Sequence, residues 1–470
     1  MTFISSVANS PSSLIEGLDS DSMVYAGMAL LEIWLNDGPG GSKGTLIYKV
    51  ENPCASTRER PVIIAAAKET SHFIEICCDF FTKGKKELEE SPLKIEYEDG
   101  QTLEFDVVLE MTQIDGKMKS IMSGLGGAYC TLCTTSPEDA QSIPNIRDGF
   151  PMNRTIESTI KDFELLAEPD EFGDLIVPRK PKDYSIRKGL TQKPKLSCFD
   201  VCQEMGTLHA WIGFLVFFLK LAYRINGNFR KKMGTTQTKA IEKRLEVAKK
   251  ILQEKARRTL SLKLDEMKEG GNTNDGNTAK AFFSPMKREK VVNLYHAEDD
   301  AERIALRNLL KRVNVIMRVA TSKRKIRTQK LQNYCTETNI KLRENFEWFK
   351  PIPPKVHGIL AHLGERIDMN DGVGLGPISE EGLEASNKEL RRGKAQFSRK
   401  DDLSHGLRDC WKRQFIKSDG IVNNFKKEIL CTNCGDKTHF IRKCPELKSK
   451  DEEETLNEDE ELIESFFLDD

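Results

Sequence analysis

Four residues near the carboxyl end have the types and spacing of a metal site. Cys431-x2-Cys434-x4-His439-x4-Cys444 offers three thiolates and an imidazole, the donor set of a zinc knuckle. Gly435 permits the tight turn that lets both leading thiolates face one ion. The segment around them has too few apolar residues to fold without metal, so four incidental residues are a weak alternative. Such knuckles contact single-stranded or structured nucleic acid. Two further pairs are ambiguous when taken singly. Cys130-Thr131-Leu132-Cys133 has the spacing of half a zinc site, but also of a redox pair or an accident. His357 and His362, five residues apart, fit ordinary helix packing as well as metal binding. Two acids also stand out. Asp115 closes an apolar strand ahead of Gly116, a position where α/β sheets place functional groups, although aspartate before glycine is equally a turn signal. Glu381 falls in the first turn of an expected helix, where it would also simply favour the macrodipole.

The elements that must position these residues change character along the chain. Residues 25–35 and 45–50 are short apolar runs bounded by Asp37-Gly38-Pro39-Gly40-Gly41, which predicts a hairpin. Apolar residues at helical spacing, Phe73, Ile76, Cys77, Phe80 and Phe81, predict a helix over 68–86. Alternation from Leu103 to Met111, broken only by Val108, predicts a half-buried strand leading to Asp115. Residues 136–195 read as a connector with short helices. Beyond it, helical patterns cover 200–225, 236–268, 286–294 and 298–346, interrupted by the Gly- and Asn-rich loop at 269–277. Prolines 351, 353 and 354 break the pattern before His357, and Ser379 can cap a helix running to Arg392, stopped by Gly393.

A chain of 470 residues exceeds what one core organises, so two or more units are expected. Residues 451–470 hold eleven acids and no Lys or Arg, which leaves the other 450 residues at net +10 (72 basic against 62 acidic). A basic body with an acidic appendage suits a nucleic-acid binder, and a solvated surface too. Basic residues crowd two segments, Arg230 to Arg258 and Arg303 to Lys330, the second with no Asp or Glu. Residues 451–470 are expected to be disordered. Twelve cysteines in so long a chain, two pairs of them at C-x-x-C spacing, point to metal in a reducing compartment rather than a disulfide scaffold. The start lacks the charged and apolar regions of a signal peptide, and the apolar run Trp211 to Phe218 stops at Lys220, so no membrane partner is expected.

Taken in order, these features resemble the catalytic core of Transib-type DNA transposases and of their relative, the catalytic subunit of the V(D)J recombinase. The anchors are Asn52-Pro53 with 56–61, Lys68-Glu69-Thr70, Asp115-Gly116-Lys117, Cys130-x2-Cys133, Gly276-Asn277-Thr278-Ala279-Lys280, His357-x4-His362 and 379–388, spanning about 25 to 420. The resemblance implies an α/β plus α fold: an incomplete ribonuclease-H-like core interrupted by a helical zinc-binding insert, followed by a C-terminal CCHC knuckle. The implied boundaries are 1–129 for the partial sheet, 130–365 for the insert, 366–420 for the helix carrying the catalytic glutamate, 421–448 for the knuckle and 449–470 for the acidic tail.

It further implies that Cys130, Cys133, His357 and His362 share one zinc, and Cys431, Cys434, His439 and Cys444 a second. Asp115 and Glu381 would hold Mg²⁺ or Mn²⁺, with Glu69 as an auxiliary acid. In such cores two divalent ions stabilise the attacking and leaving oxygens of strand nicking, hairpin formation and strand transfer. The family's first catalytic aspartate, in an Asp-Gly motif, has its nearest match in Glu16-Gly17. The sequence therefore reads as shortened at its start, without the domain that recognises transposon ends, and as inactive in strand cleavage. A non-catalytic, zinc-dependent nucleic-acid-binding protein is the competing expectation. By the same resemblance a homodimer acting on DNA in the nucleus is expected, with an accessory recombinase subunit as a further partner.

Overall fold

The computed structural model describes residues 71–91, 93–96, 102–105, 116–178, 188–195, 205–230, 239–268, 271–349, 352–379, 392–393, 395–399, 401, 403–417 and 458–468. The chain divides into two compact units, each discontinuous in sequence. One comprises Met1–Met111 and Glu381–Lys426, the other Thr112–Glu380 and Lys427–Asp470.

In the first unit, α1 (Ser71–Glu89) accounts for the expected helix from residue 71 onward, residues 68–70 lying outside the described residues, and buries Cys78. Its exposed side carries Lys83–Glu87 and Lys85–Glu89 pairs one turn apart. The strand expected from Leu103 is seen as β2 (Thr102–Phe105), paired antiparallel with β1 (Leu93–Glu96) in the register Leu93↔Phe105 to Glu96↔Thr102. β1 was not anticipated, although Asp99-Gly100 between the two strands is a hairpin signal. The expected hairpin at 25–50 and residues 106–115 lie outside the described residues.

The second unit is built from helices, with short two-residue β-ladders at Glu168–Pro169 with Leu175–Ile176 and at Met267–Lys268 with Gly271–Asn272. In chain order these helices are α2 (Gly116–Ser123), α3 (Ile143–Asp148), α4 (Ile156–Leu166), α5 (Thr207–Asn226), α6 (Lys239–Leu260), α7 (Gly276–Phe283), α8 (Arg288–Val292), α9 (Asp300–Ala320), α10 (Thr328–Asn345) and α11 (Pro354–Asp368). In the first unit α12 (Leu403–Lys417) follows, and in the second a further helix, α13, covers 458–464.

α5 is apolar on every side because it is the centre of this unit. Trp211, Phe214, Leu215, Phe217, Phe218 and Leu221 are buried, and α6, α7, α9 and α11 pack around it. By length and composition α5 could cross a membrane, which the shorter run noted above does not suggest; its burial within the unit is that of a core helix. α7 starts where Asp275 accepts the Thr278 amide at 2.9 Å. It approaches α5 so closely that a Cβ on Gly276 would collide with the Leu208 side chain. That contact gives the Gly276-Asn277-Thr278 motif a structural reason.

The single helix expected over 298–346 is two, α9 and α10, broken at 321–327. The reason is tertiary. Residues 372–376 cross the break, and the amides of Leu375, Gly376 and Gly374 donate to the carbonyls of Ala320, Ser322 and Arg324 at 2.8, 3.2 and 3.1 Å. The final carbonyl of α9, on Ala320, and two carbonyls just beyond it are thus satisfied from a distant segment rather than by continuing the helix. The basic run Lys323-Arg324-Lys325-Ile326-Arg327 consequently lies in a turn.

The expectation of a disordered acidic tail does not hold for 458–468. α13 packs on this unit through buried Ile463, with Phe466 and Phe467 buried just beyond it. Fully buried Asp459 pairs with Arg288 and accepts from Asn314 Nδ2 at 3.3 Å. The missing signal was its partner set, which is basic and lies more than a hundred residues upstream.

Candidate metal centre

α11 presents both histidines. Pro354 sits at its first turn, where the missing N–H costs nothing, so the prolines that end the preceding pattern also start this helix. α11 packs closely on α10: the Gly364 amide donates to Gln332 Oε1 at 2.9 Å, and a Cβ at Gly364 would crowd the Gln332 side chain. His357 is 3% and His362 0% exposed, so each imidazole must find partners inside the protein.

The Cys130–Cys133 loop meets them there. Ligand atoms of Cys130, Cys133, His357 and His362 all lie within 4.8 Å of one another, and all four residues are buried. Cys133 Sγ is 3.5 Å from His357 Nε2. A tetrahedral zinc with bonds of about 2.3 Å to sulfur and 2.0–2.1 Å to nitrogen puts such a pair about 3.6 Å apart. The Leu132 amide points at Cys130 Sγ from 3.4 Å, which stabilises negative charge on that sulfur. Among the described residues, His362 Nδ1 and Nε2 and His357 Nδ1 have no hydrogen-bond partner. Buried imidazole nitrogens left unpaired are costly, and an ion between the four residues removes that cost. The donor set therefore fits zinc.

The electrostatics favour a thiolate at Cys133. Its acidity is raised first by the hydrogen bond from Cys130 and then by His357 and His362, against the opposing effect of burial. Cys130 is pushed the other way by the same hydrogen bond and by burial. A divalent cation would hold both sulfurs ionised.

One short segment, 150–154, locks this arrangement and was missed from the sequence. Arg154, 1% exposed, donates from Nε to the Cys133 carbonyl at 3.1 Å and from a terminal nitrogen to the Lys188 carbonyl at 2.7 Å. Its own amide donates to the Leu132 carbonyl at 3.2 Å. Asn153 Oδ1 accepts the Thr134 amide at 3.0 Å. On the histidine side, the Met152 amide donates to Glu365 Oε2 at 2.8 Å, and the Phe150 ring meets His357 edge-on at 5.0 Å. Nothing local in the sequence marks Arg154 for this role.

Other candidates fall elsewhere. Glu16, Glu69, Asp115 and Glu381 lie outside the described residues, as do Cys431, Cys434, His439 and Cys444. Both basic segments have internal partners. Arg230 is held by Glu298 and Glu302, Lys249 by Asp265 and Arg257 by Glu266, while Arg312 pairs with Glu337 and lies over the Tyr334 ring.

Residues 7–128 match the family model of the RNase H domain of recombination-activation protein 1 (RAG1). That segment is RAG1-like. The match ends two residues before Cys130 and indicates an RNase H-like domain, which implies a nuclease fold of the recombinase and transposase kind. It supports the resemblance to the RAG1 and Transib-type recombinase family drawn from the motifs. No curated protein matches the chain.

Proposed function

We propose that this chain is the DNA-handling core of a DDE-type transposase or recombinase. The observation that carries this reading is the match of residues 7–128 to the RAG1 RNase H domain. The division of the chain supports it, because the unit holding residues 1–111 is interrupted by a helical unit and resumes at Glu381. The Cys130, Cys133, His357 and His362 cluster ties together two segments near the ends of that interruption. Four protein ligands leave no open position on a tetrahedral zinc, so its role is structural.

In this reading Asp115 and Glu381 hold Mg²⁺ or Mn²⁺, since hard cations prefer carboxylate oxygens, and Glu69 assists. Two such ions supply charge stabilisation to the attacking and leaving oxygens of a strand-cleaving displacement. With Glu16 in place of the family's first aspartate, a longer side chain displaces one ligand, and this chain on its own does not cleave DNA. The CCHC residues 431–444 hold a second zinc and add nucleic-acid contact. A homodimer working with an accessory subunit in the nucleus completes the proposal.

The test is incubation of the full chain with Mn²⁺ and a duplex bearing a 5′-CAC end, resolving nicked and hairpin products. Duplex binding without nicked or hairpin products is the expected result, and nicking that is lost in Glu381→Gln would overturn the reading of this chain as inactive. Nicking that survives both Glu381→Gln and Asp115→Asn would overturn the assignment of these acids, and absence of any duplex binding would overturn the DNA-handling reading.

A further inference from the structure

A basic stretch without a single acid is covered by the chain's own acidic segment. Residues 303–330 contain ten Lys or Arg and no Asp or Glu, while 458–468 contain five acids and no base. The two run against each other. Arg318 makes a two-pronged contact with Glu460, at 2.6 and 3.0 Å. Arg324 pairs with Glu464 at 2.6 Å and lies 4.1 Å over the Phe467 ring. Lys311 reaches Glu458 at 3.3 Å and Asp459 at 3.4 Å. Lys330 donates to the Ser465 carbonyl at 3.0 Å and sits 5.1 Å over the Phe466 ring. Backbone bonds fix the register: Arg327 N–H donates to Phe466 O at 2.7 Å and Leu468 N–H to Lys325 O at 3.1 Å.

These are the contacts that a phosphate backbone would make with the same cations: two-pronged arginine to paired oxygens, and lysine as a point charge. The outer acids are partly exposed, with Glu460 and Glu464 side chains 44% and 57% accessible, so their pairs are within reach of competing anions. The inner part, Asp459, Ile463, Phe466 and Phe467, is buried and anchors the segment.

We propose that residues 458–468 are a built-in strap that occupies the phosphate-binding face at Lys311, Arg318, Arg324 and Lys330, and that DNA engages this face by displacing the strap's acidic edge. This rests on the DNA-handling reading above. The strap makes binding by this face conditional on a polyanion dense enough to replace several carboxylates at once, which favours duplex DNA over isolated phosphates.

The test uses the full chain and a fluorescent DNA duplex of arbitrary sequence, with anisotropy read across a salt series. Glu460→Gln with Glu464→Gln frees Arg318 and Arg324 but keeps the buried anchors; Glu452→Gln with Glu453→Gln changes net charge equally outside the strap. The strap pair is expected to bind about tenfold tighter, with a salt slope steeper by about 1.8, two added phosphate contacts at ~0.9 each. The control pair is expected to change affinity by less than about twofold. Hydrogen exchange of 458–468 in the unaltered chain should accelerate when duplex is added. Equal tightening by both pairs, or duplex binding with no change in exchange, overturns the strap while leaving DNA binding intact. Failure of every form to bind duplex overturns both the strap and the reading beneath it.

Discussion

Arg154 and the two histidines show how much a buried polar residue depends on neighbours that sequence does not reveal. The guanidinium of Arg154 satisfies two carbonyls, one of them on Cys133, and leaves the metal-facing side of the loop to the sulfurs. Arg154→Ala would orphan both carbonyls in a buried site, so we expect a loss of about 1–3 kcal/mol in stability by chemical denaturation. A competing chelator should also extract zinc from the variant about 10–100-fold more easily, because an outer partner that orients a ligand is removed. Unchanged zinc retention would show that the Phe150 to Arg154 segment merely passes by. The four ligands were legible as residue types at ligand spacings, yet only the resemblance joined them, because Cys130 and His357 are 227 positions apart. Arg154 was not legible, since its partners are backbone carbonyls and any sequence supplies those.

Elements were legible where their reasons are local. The apolar periodicity of α1 and α5 carries its own explanation, whereas α7, which begins inside the expected loop at 269–277, and α11 were not read from the sequence. The break between α9 and α10, and α13 within the acidic segment, answer to partners far away in sequence. Glycine substitutions read the difference between a packed and an open position. Gly276→Ala meets Leu208 and Gly364→Ala meets Gln332, so each should cost about 1–3 kcal/mol through overpacking. Gly84→Ala, inside α1 with nothing within 4 Å, should instead stabilise by about 0.5–1 kcal/mol. Urea midpoints that fall for the first two and rise for the third bear out this packing; a neutral Gly276→Ala would mean that the Leu208 side chain turns aside from α7.

At the scale of the whole molecule, the helical unit is a long excursion whose ends are drawn together by one buried cluster, and the same unit carries the basic face covered by 458–468. Zinc held by this cluster would couple folding of the unit to metal. Chelation of zinc should lower its thermal midpoint, and re-addition of zinc should restore it, by the free energy of binding to the folded form alone. The most direct measurement is zinc content with X-ray absorption on the Cys431→Ser, Cys434→Ser chain, which lacks the second candidate site. The account predicts one zinc per chain with two sulfur ligands at about 2.3 Å and two nitrogen ligands at about 2.0 Å, lost when His362→Ala is added. A chain without zinc, or a zinc whose ligands survive His362→Ala, would contradict it.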